Sequence, residues 1–428
     1  ARAPAAPTIT VNGYTVAMRR LRVAVLFSLL AISSIAHAAP RRRVIAKPST
    51  DPAPAAWLTA HATAIESTEL AGPSRDLEPL RALAGSSSLV ALGDLTHGTH
   101  EIFTLKLRLI DFFVRELNFD TLAIEAPFPL TNELDAYIHG SVADPRAILH
   151  RAGALNYAFW NTEEFLAVVE WLRAYNLSHD AQVSLAGFDI YDEATAQANV
   201  IAYYRHADPA LASAIEAMYA NGGAEAVHAQ LASRRADFEP LGSSEYADAL
   251  QNATVVVQRM HGVAETRDVA MAENALWIRQ HRSRNSKVLL WAHQEHLGRS
   301  ATYVGWPSMG QLLAAQVSDY FVIGHLAGSG MFLQSIWDSR TQAFRLEPRV
   351  FRPVLPDSYE ATFREAHQPR ILVSLHGNVP SWLQGPAQYR SAGSSPNPNP
   401  DWERSESLPQ KLDAVIYLDE TSAARPLR

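Results

Sequence analysis

Leu89-Val90-Ala91-Leu92-Gly93-Asp94-Leu95-Thr96-His97-Gly98-Thr99 joins an apolar run to a polar turn. Four consecutive apolar residues, closed by a glycine and a polar turn, read as a buried strand of a parallel sheet rather than a half-exposed antiparallel one. The next segment, about His100 to Leu117, places Phe103, Leu107, Ile110, Val114 and Leu117 on one face at helical spacing. Lys106 leans toward that same buried face. A second apolar run, Thr121-Leu122-Ala123, follows and completes a β-α-β unit, and Val288-Leu289-Leu290 is a third strand of the same kind. Each run ends on groups able to carry chemistry: Asp94 and His97, Glu125, and His293 with His296. In an open α/β sheet the carboxyl ends of the strands line the ligand crevice. These five side chains are therefore expected to converge, however far apart they lie in the chain.

Around this nucleus the pattern predicts an α/β fold with a mainly parallel central sheet flanked by helices. Residues 39–56 read as a linker, and 57–428 as one domain, opened by a helix from Trp57 to Leu70. Asn161 to Glu164 has the form of a capping box and opens a helix through Tyr175. Val183 to Asp189 is a further strand that ends on an acid. Residues 193–285 are alanine-rich and read as a helical insertion over the crevice, with breaks at Pro209, Gly222-Gly223 and Pro240 to Gly242. Strands return at Val288–Ala292, Tyr320–Ile323, Arg370–Leu375 and Ala414–Leu418, and Ser391 to Pro400 reads as a mobile surface loop.

The first 38 residues read as a non-native start plus a signal peptide. Met18-Arg19-Arg20-Leu21-Arg22 is a basic n-region, Val23 to Ala36 an apolar h-region, and Ala36-His37-Ala38 a small-x-small cleavage site. The apolar stretch is shorter than the roughly 18 residues that a spanning helix needs. The expectation is a periplasmic or secreted protein with no stable membrane insertion after signal cleavage. Removing residues 1–38 takes away four arginines and no acid, which leaves 33 basic against 44 acidic residues. Such a surface disfavours nucleic acid as a partner. The chain has no cysteine, so disulfides, thiolate metal sites and a cysteine nucleophile are all excluded.

The order of the motifs resembles the erythromycin esterase family. The resemblance is carried by Ala91 through Thr99, then Glu101-Ile102-Phe103-Thr104-Leu105-Lys106, Ile124-Glu125-Ala126, and Phe159-Trp160-Asn161-Thr162-Glu163-Glu164. It continues through Gly187-Phe188-Asp189-Ile190-Tyr191, Arg267-Asp268 with Met271-Ala272-Glu273-Asn274, Trp291-Ala292-His293, and Ser308-Met309-Gly310. The C-terminal Leu408-Pro409, Asp413-Ala414-Val415-Ile416-Tyr417 and Arg425-Pro426-Leu427 are similar too. The resemblance implies hydrolysis of a lactone or other carboxylic ester by addition of water, with the general base on His97. It implies that Asp94, Glu125 and His293 share the catalytic centre, and that the family's helix cation falls on Lys106 and its later histidine on His296. Two positions differ from the family pattern: Asp94 stands where glutamate is usual, and Gln294, followed by Glu295, where asparagine is usual.

The residues by themselves support the same chemistry less specifically. Direct attack of water on an ester needs a base whose pKa lies near working pH, and histidine is the residue type that supplies it. A neighbouring carboxylate, Glu125 or Asp94, would hold the imidazole and stabilise its protonated form, while Lys106, His293 or His296 would offset charge growing on the carbonyl oxygen. There is no Gly-x-Ser-x-Gly elbow, which disfavours a serine acyl-enzyme. Asp189 is a secondary candidate for substrate binding, and His100 and His325 are read as incidental. Alternatives stay open at this level. Asp94 or Thr96 could simply cap the helix, Lys106 could snorkel past the core, and the five acidic and histidine groups would be acceptable zinc or manganese ligands. A binding protein that kept the fold without the chemistry is the remaining reading. The preferred expectation is an esterase with a small-molecule ester or lactone substrate, no cofactor and no metal.

Overall fold

The computed structural model describes residues 10–11, 14–15, 53–72, 74–154, 157–262, 265–302, 305–341, 343–393 and 404–427. The chain divides into two units, residues 1–50 and 51–428. In the first, Thr10–Val11 and Tyr14–Thr15 form a short antiparallel pair. The predicted signal segment from Met18 to Ala38, and the 39–56 linker up to residue 52, lie outside the described residues.

The second unit is built on one nine-stranded sheet among the described residues. In chain order its strands are β1 (Ala62–Ala64), β2 (Leu89–Asp94), β3 (Thr121–Pro127), β4 (Ser184–Asp189), β5 (Val288–His293), β6 (Tyr320–Asp338), β7 (Ala343–Val350), β8 (Arg370–Ser374) and β9 (Ala414–Thr421). They lie side by side in the order β1-β8-β9-β6-β2-β5-β3-β4, with β7 paired to the outer half of β6. From β9 to β4 every pairing is parallel, and β8 runs antiparallel to both of its neighbours. The mainly parallel α/β sheet that the apolar runs predicted is therefore present.

Alternation along each strand builds two core layers. Val90, Leu92, Leu122, Ile124, Leu289 and Trp291 face one, while Leu89, Ala91, Ala123, Val288, Leu290 and Ala292 face the other. Both layers are covered by helices, which is why the central strands read as continuous apolar runs. On the first face lies the helix His100–Leu117, whose predicted stripe of Phe103, Leu107, Ile110, Val114 and Leu117 is buried. Between β4 and β5 the chain forms the helices Glu193–Ala207, Pro209–Ala220, Ala224–Ser233, Ser243–Met260 and Arg267–His281. These pack around their own apolar cluster, which reaches the sheet through Phe128 and Ile190.

Four expectations are corrected. The opening helix runs from Pro54 to His61, not from Trp57 to Leu70; beyond it the chain pairs as edge strand β1 against Ile371–Val373, and this tertiary pairing overrides the helical preference of its alanines. The helix after Asn161 begins at Glu163, and its cap is Thr162, whose hydroxyl accepts from the Phe165 amide. The strand expected at Tyr320–Ile323 continues to Asp338 and turns into a hairpin with β7. Ser391, Ala392 and Gly393, read as the start of a mobile surface loop, are buried; the rest of that stretch, 394–400, lies outside the described residues.

Candidate active site

Asp94 and His293 are the last register partners of neighbouring strands β2 and β5, so strand pairing alone sets them side by side at the carboxyl edge. Glu125 lies where the pairing of β3 with β4 shifts register between Ile124 and Pro127. Such an irregularity at a strand end re-aims a side chain, and Glu125 here takes the His293 amide on Oε2 (2.9 Å) and Arg267 Nη2 on Oε1 (2.8 Å). His97 lies on the turn between β2 and the helix His100–Leu117. That turn is held by a hydrogen bond between the Thr96 and Thr99 hydroxyls, and by the Leu333 amide donating to the Gly98 carbonyl at 2.8 Å.

The His97 ring stacks on Phe159 with centroids 4.3 Å apart and lies 5.4 Å from the His293 ring. Its Nδ1 is 3.2 Å from Asp94 Oδ1 and its Nε2 3.8 Å from Glu125 Oε2. Despite that approach, Asp94 Oδ1 and His97 Nδ1 are both buried without a hydrogen-bond partner. An unmade bond between two buried polar atoms carries a desolvation cost. Loose catalytic hydrogen bonds of this kind are common before substrate binds.

Asp94 does not cap the helix. Its Oδ2 accepts from Lys106 Nζ (2.7 Å) and Trp291 Nε1 (3.0 Å). Burial raises the Asp94 carboxyl, but Lys106 and His97 outweigh it and hold the group well below the usual carboxylate range. Lys106 is fully buried against the Trp291 ring; burial pulls its ammonium down to about 8, with Asp94 opposing. The expectation that Lys106 meets substrate therefore finds no exposed surface here, because its charge is spent on Asp94. Asp189 is likewise fully buried, with Oδ2 taking Arg267 Nη2 (2.6 Å) and the Tyr157 hydroxyl (2.6 Å).

The two later histidines are driven apart. Burial and the His97 imidazole hold His293 down to about 4. Burial also opposes the charge on His296, but Asp268 and Glu125 outweigh it and push that imidazole up to about 9. His296 Nδ1 lies 3.0 Å from Asp268 Oδ1, and its Nε2 3.6 Å from Glu125 Oε1. Glu125 itself is driven up by burial, yet His296, His97 and Arg267 bring it to about 2. The surroundings thus favour the neutral form of His293 and the protonated form of His296, although Arg267 Nη1, 3.3 Å from His296 Nε2, opposes the latter.

The structure brings Asp94, His97, Glu125, His293 and His296 together, with Lys106 and Asp189 behind them. Sequence reasoning missed several partners. Arg267, which ties Asp189 to Glu125, and Asp268, which holds His296, had no role from spacing, since an Arg-Asp pair at a helix start carries no pattern of its own. Phe159 and Tyr157 come from a short turn around Ala158–Trp160. His100 bonds Glu164 (2.6 Å) away from this cluster, and His325 is buried with Nδ1 on the Gly93 carbonyl. Gln294 is absorbed structurally, its side-chain oxygen accepting the His325 amide at 3.1 Å. Among the described residues no three His, Asp or Glu side chains are grouped to hold a metal ion; Asp94 and Glu125 are engaged by Lys106 and Arg267 instead.

An α/β sheet whose carboxyl edge gathers histidines and carboxylates defines the general class of this protein. Its family follows from comparison: the erythromycin esterase profile matches residues 114–421, and the chain belongs to that family. It is 25% identical over 422 residues to Bacillus subtilis (strain 168) "Putative hydrolase YbfO", covering 85% of this chain and 90% of that one. It is 33% identical over 115 residues to erythromycin esterase type II of Escherichia coli, over 27% of this chain and 26% of that protein. The fold is also that of a histidine-to-asparagine mutant of the erythromycin esterase EreC in its open conformation, with a TM-score of 0.64 and 16% identity over 85% of this chain and 98% of that one.

Proposed function

We propose that this member of the family is a hydrolase of carboxylic esters or lactones in which His97 activates water. The observation that carries the reading is the buried His97 ring held between the Asp94 and Glu125 carboxylates and backed by Phe159. Asp94, kept ionised by Lys106, would hold the proton on Nδ1 and leave Nε2 as the base. A water proton passes to Nε2 as its oxygen bonds to the ester carbon, and the carbonyl oxygen takes up the negative charge. His296, whose protonated form the Asp268 and Glu125 carboxylates favour, offsets that charge. Collapse of the tetrahedral adduct breaks the bond to the alcohol oxygen, which takes the proton back from His97. In a lactone the same steps open the ring. The helices of residues 193–281 act as a lid whose faces select a bulky substrate, and the basic, apolar and small-x-small run from Met18 to Ala38 supports export to the periplasm or beyond.

The test is hydrolysis of a panel of macrolactones and aryl esters by residues 39–428, beside His97→Ala, with and without a chelator. Turnover should survive chelation and fall by about 10²–10⁴-fold in His97→Ala, the usual contribution of a general base. Chelator-sensitive turnover would move the same residues into a metal site. Absence of turnover on every ester would sink the reading. Export is tested separately by expressing the full chain and sequencing the N-terminus of the fractionated product, with cleavage after Ala38 expected.

A further inference from the structure

Ser391 lies far along the chain from the strands that carry the site, yet its Oγ is 3.4 Å from His293 Nε2. Its hydroxyl proton is committed elsewhere, to Glu295 Oε1 at 3.0 Å. That same oxygen takes Lys411 Nζ (2.8 Å) and lies 2.9 Å from the Tyr389 hydroxyl, whose one proton it shares with Glu406 Oε2 at 3.0 Å, so it acts as an acceptor toward Ser391. With its single proton spent, Ser391 Oγ faces His293 only with lone pairs. The contact then requires the hydrogen on Nε2 of the imidazole. His293 Nδ1 has no hydrogen-bond partner among the described residues.

The same segment fixes the ring in other ways. Gly393 lies against it: a Cβ there would meet three imidazole atoms at 3.4–3.6 Å, in ordinary van der Waals contact, and its φ of +53° is one that L side chains rarely adopt. The Ala392 and Gly393 amides both donate to the Leu95 carbonyl at 2.9 Å. The strap that holds His293 is thus stitched to the turn that carries His97.

We infer that Ser391 is a positioning residue that locks His293 in the Nε2–H tautomer, leaving Nδ1 as an unprotonated acceptor aimed at the reacting water or alcohol. Because burial and the neighbouring His97 imidazole favour the neutral form of His293, which nitrogen carries the proton decides what the ring can do. As an acceptor, His293 orients a hydroxyl rather than donating to an oxyanion, which leaves that task to His296. The catalytic consequence rests on the ester-hydrolase reading; the tautomer does not.

The deciding experiment is ¹⁵N NMR of histidine-labelled protein at pH 7, with His293 assigned by His293→Gln, in wild type, Ser391→Ala and Ser391→Thr. Wild type should show His293 protonated on Nε2 alone, Ser391→Ala a mixture of tautomers, and Ser391→Thr the wild-type pattern. On the ester panel, Ser391→Ala should lose about tenfold or more in kcat with little change in KM, and Ser391→Thr should recover it. A wild-type His293 protonated on Nδ1, or a tautomer unchanged in Ser391→Ala, overturns the inference. So does an acylated Ser391 peptide trapped by mass spectrometry, which would make the serine a nucleophile. The wild-type spectrum decides even if a variant fails to fold. The expected tautomers without turnover on any ester would sink the hydrolase reading and leave the positioning role standing.

Discussion

His293 and His296 sit three residues apart with opposite electrostatic surroundings. One imidazole is buried beside another and is held down to about 4; the other is clamped between Asp268 and Glu125 and rises to about 9. Pairs of titratable groups pushed apart in this way are how a single fold assigns acid and base roles. The sign of the linked stability follows. A histidine whose folded pKa lies above its ordinary 6.5 stabilises the fold fully below that value and loses the contribution as pH rises through about 9. His296→Gln should therefore lower the melting temperature most at pH 6, by on the order of 3 kcal/mol in unfolding free energy. The gap to wild type should close above pH 9. A gap that is constant with pH would show that the His296 pKa is not raised in the folded protein. Lys106 and Asp94 behave differently, as a fully desolvated pair, where removing one partner strands the other.

At the scale of elements, the turn between β2 and the helix His100–Leu117 is caught between two neighbours. From one side the β6 strand crosses it: the Leu333 amide bonds the Gly98 carbonyl, and a Cβ at position 98 would collide with Leu333 Cβ and its carbonyl oxygen. From the other, Ala392 and Gly393 bond Leu95. Gly98→Ala should thus cost about 1–3 kcal/mol through overpacking and displace His97, with kcat falling further than stability alone would explain. Equilibrium urea unfolding beside ester turnover checks both; unchanged values for each would show that the contact yields freely. The glycine was visible in the sequence, but the strand packed on it was not. Tyr320–Ile323 gave an apolar run that was read as the whole strand, and the glycines and polar residues beyond it hid the hairpin from any periodicity.

At the scale of the whole molecule, Arg267 joins the helical stretch between β4 and β5 to the sheet. It is the first residue of the helix Arg267–His281, and it reaches Asp189 at the end of β4 and Glu125 in β3. Replacing it by methionine would leave two nearly fully buried carboxylates without the guanidinium they share. Breaking a buried ion pair from one side typically costs about 3–5 kcal/mol, so Arg267→Met should lower the denaturant midpoint by a corresponding amount. Arg267→Met with Glu125→Gln and Asp189→Asn should recover much of that loss. If the single variant is as stable as wild type, the bridge holds nothing together.

The parallel strands, the helix His100–Leu117 and the gathering of Asp94, His97, Glu125, His293 and His296 at the sheet edge were legible in the chain alone. The reason is that burial on both faces writes itself into the chain as continuous apolar runs, and β2, β3 and β5 end within a few residues of where those runs stop. Only the tertiary structure decided the rest: that Lys106 serves Asp94, that Arg267 and Asp268 steady Glu125 and His296, that Phe159 backs His97, and that Ser391 holds His293. Those partners come from helix starts, a short turn and a strap with no periodic signal. Their roles depend on which groups are desolvated together, and desolvation belongs to the packed molecule rather than to any segment of the chain.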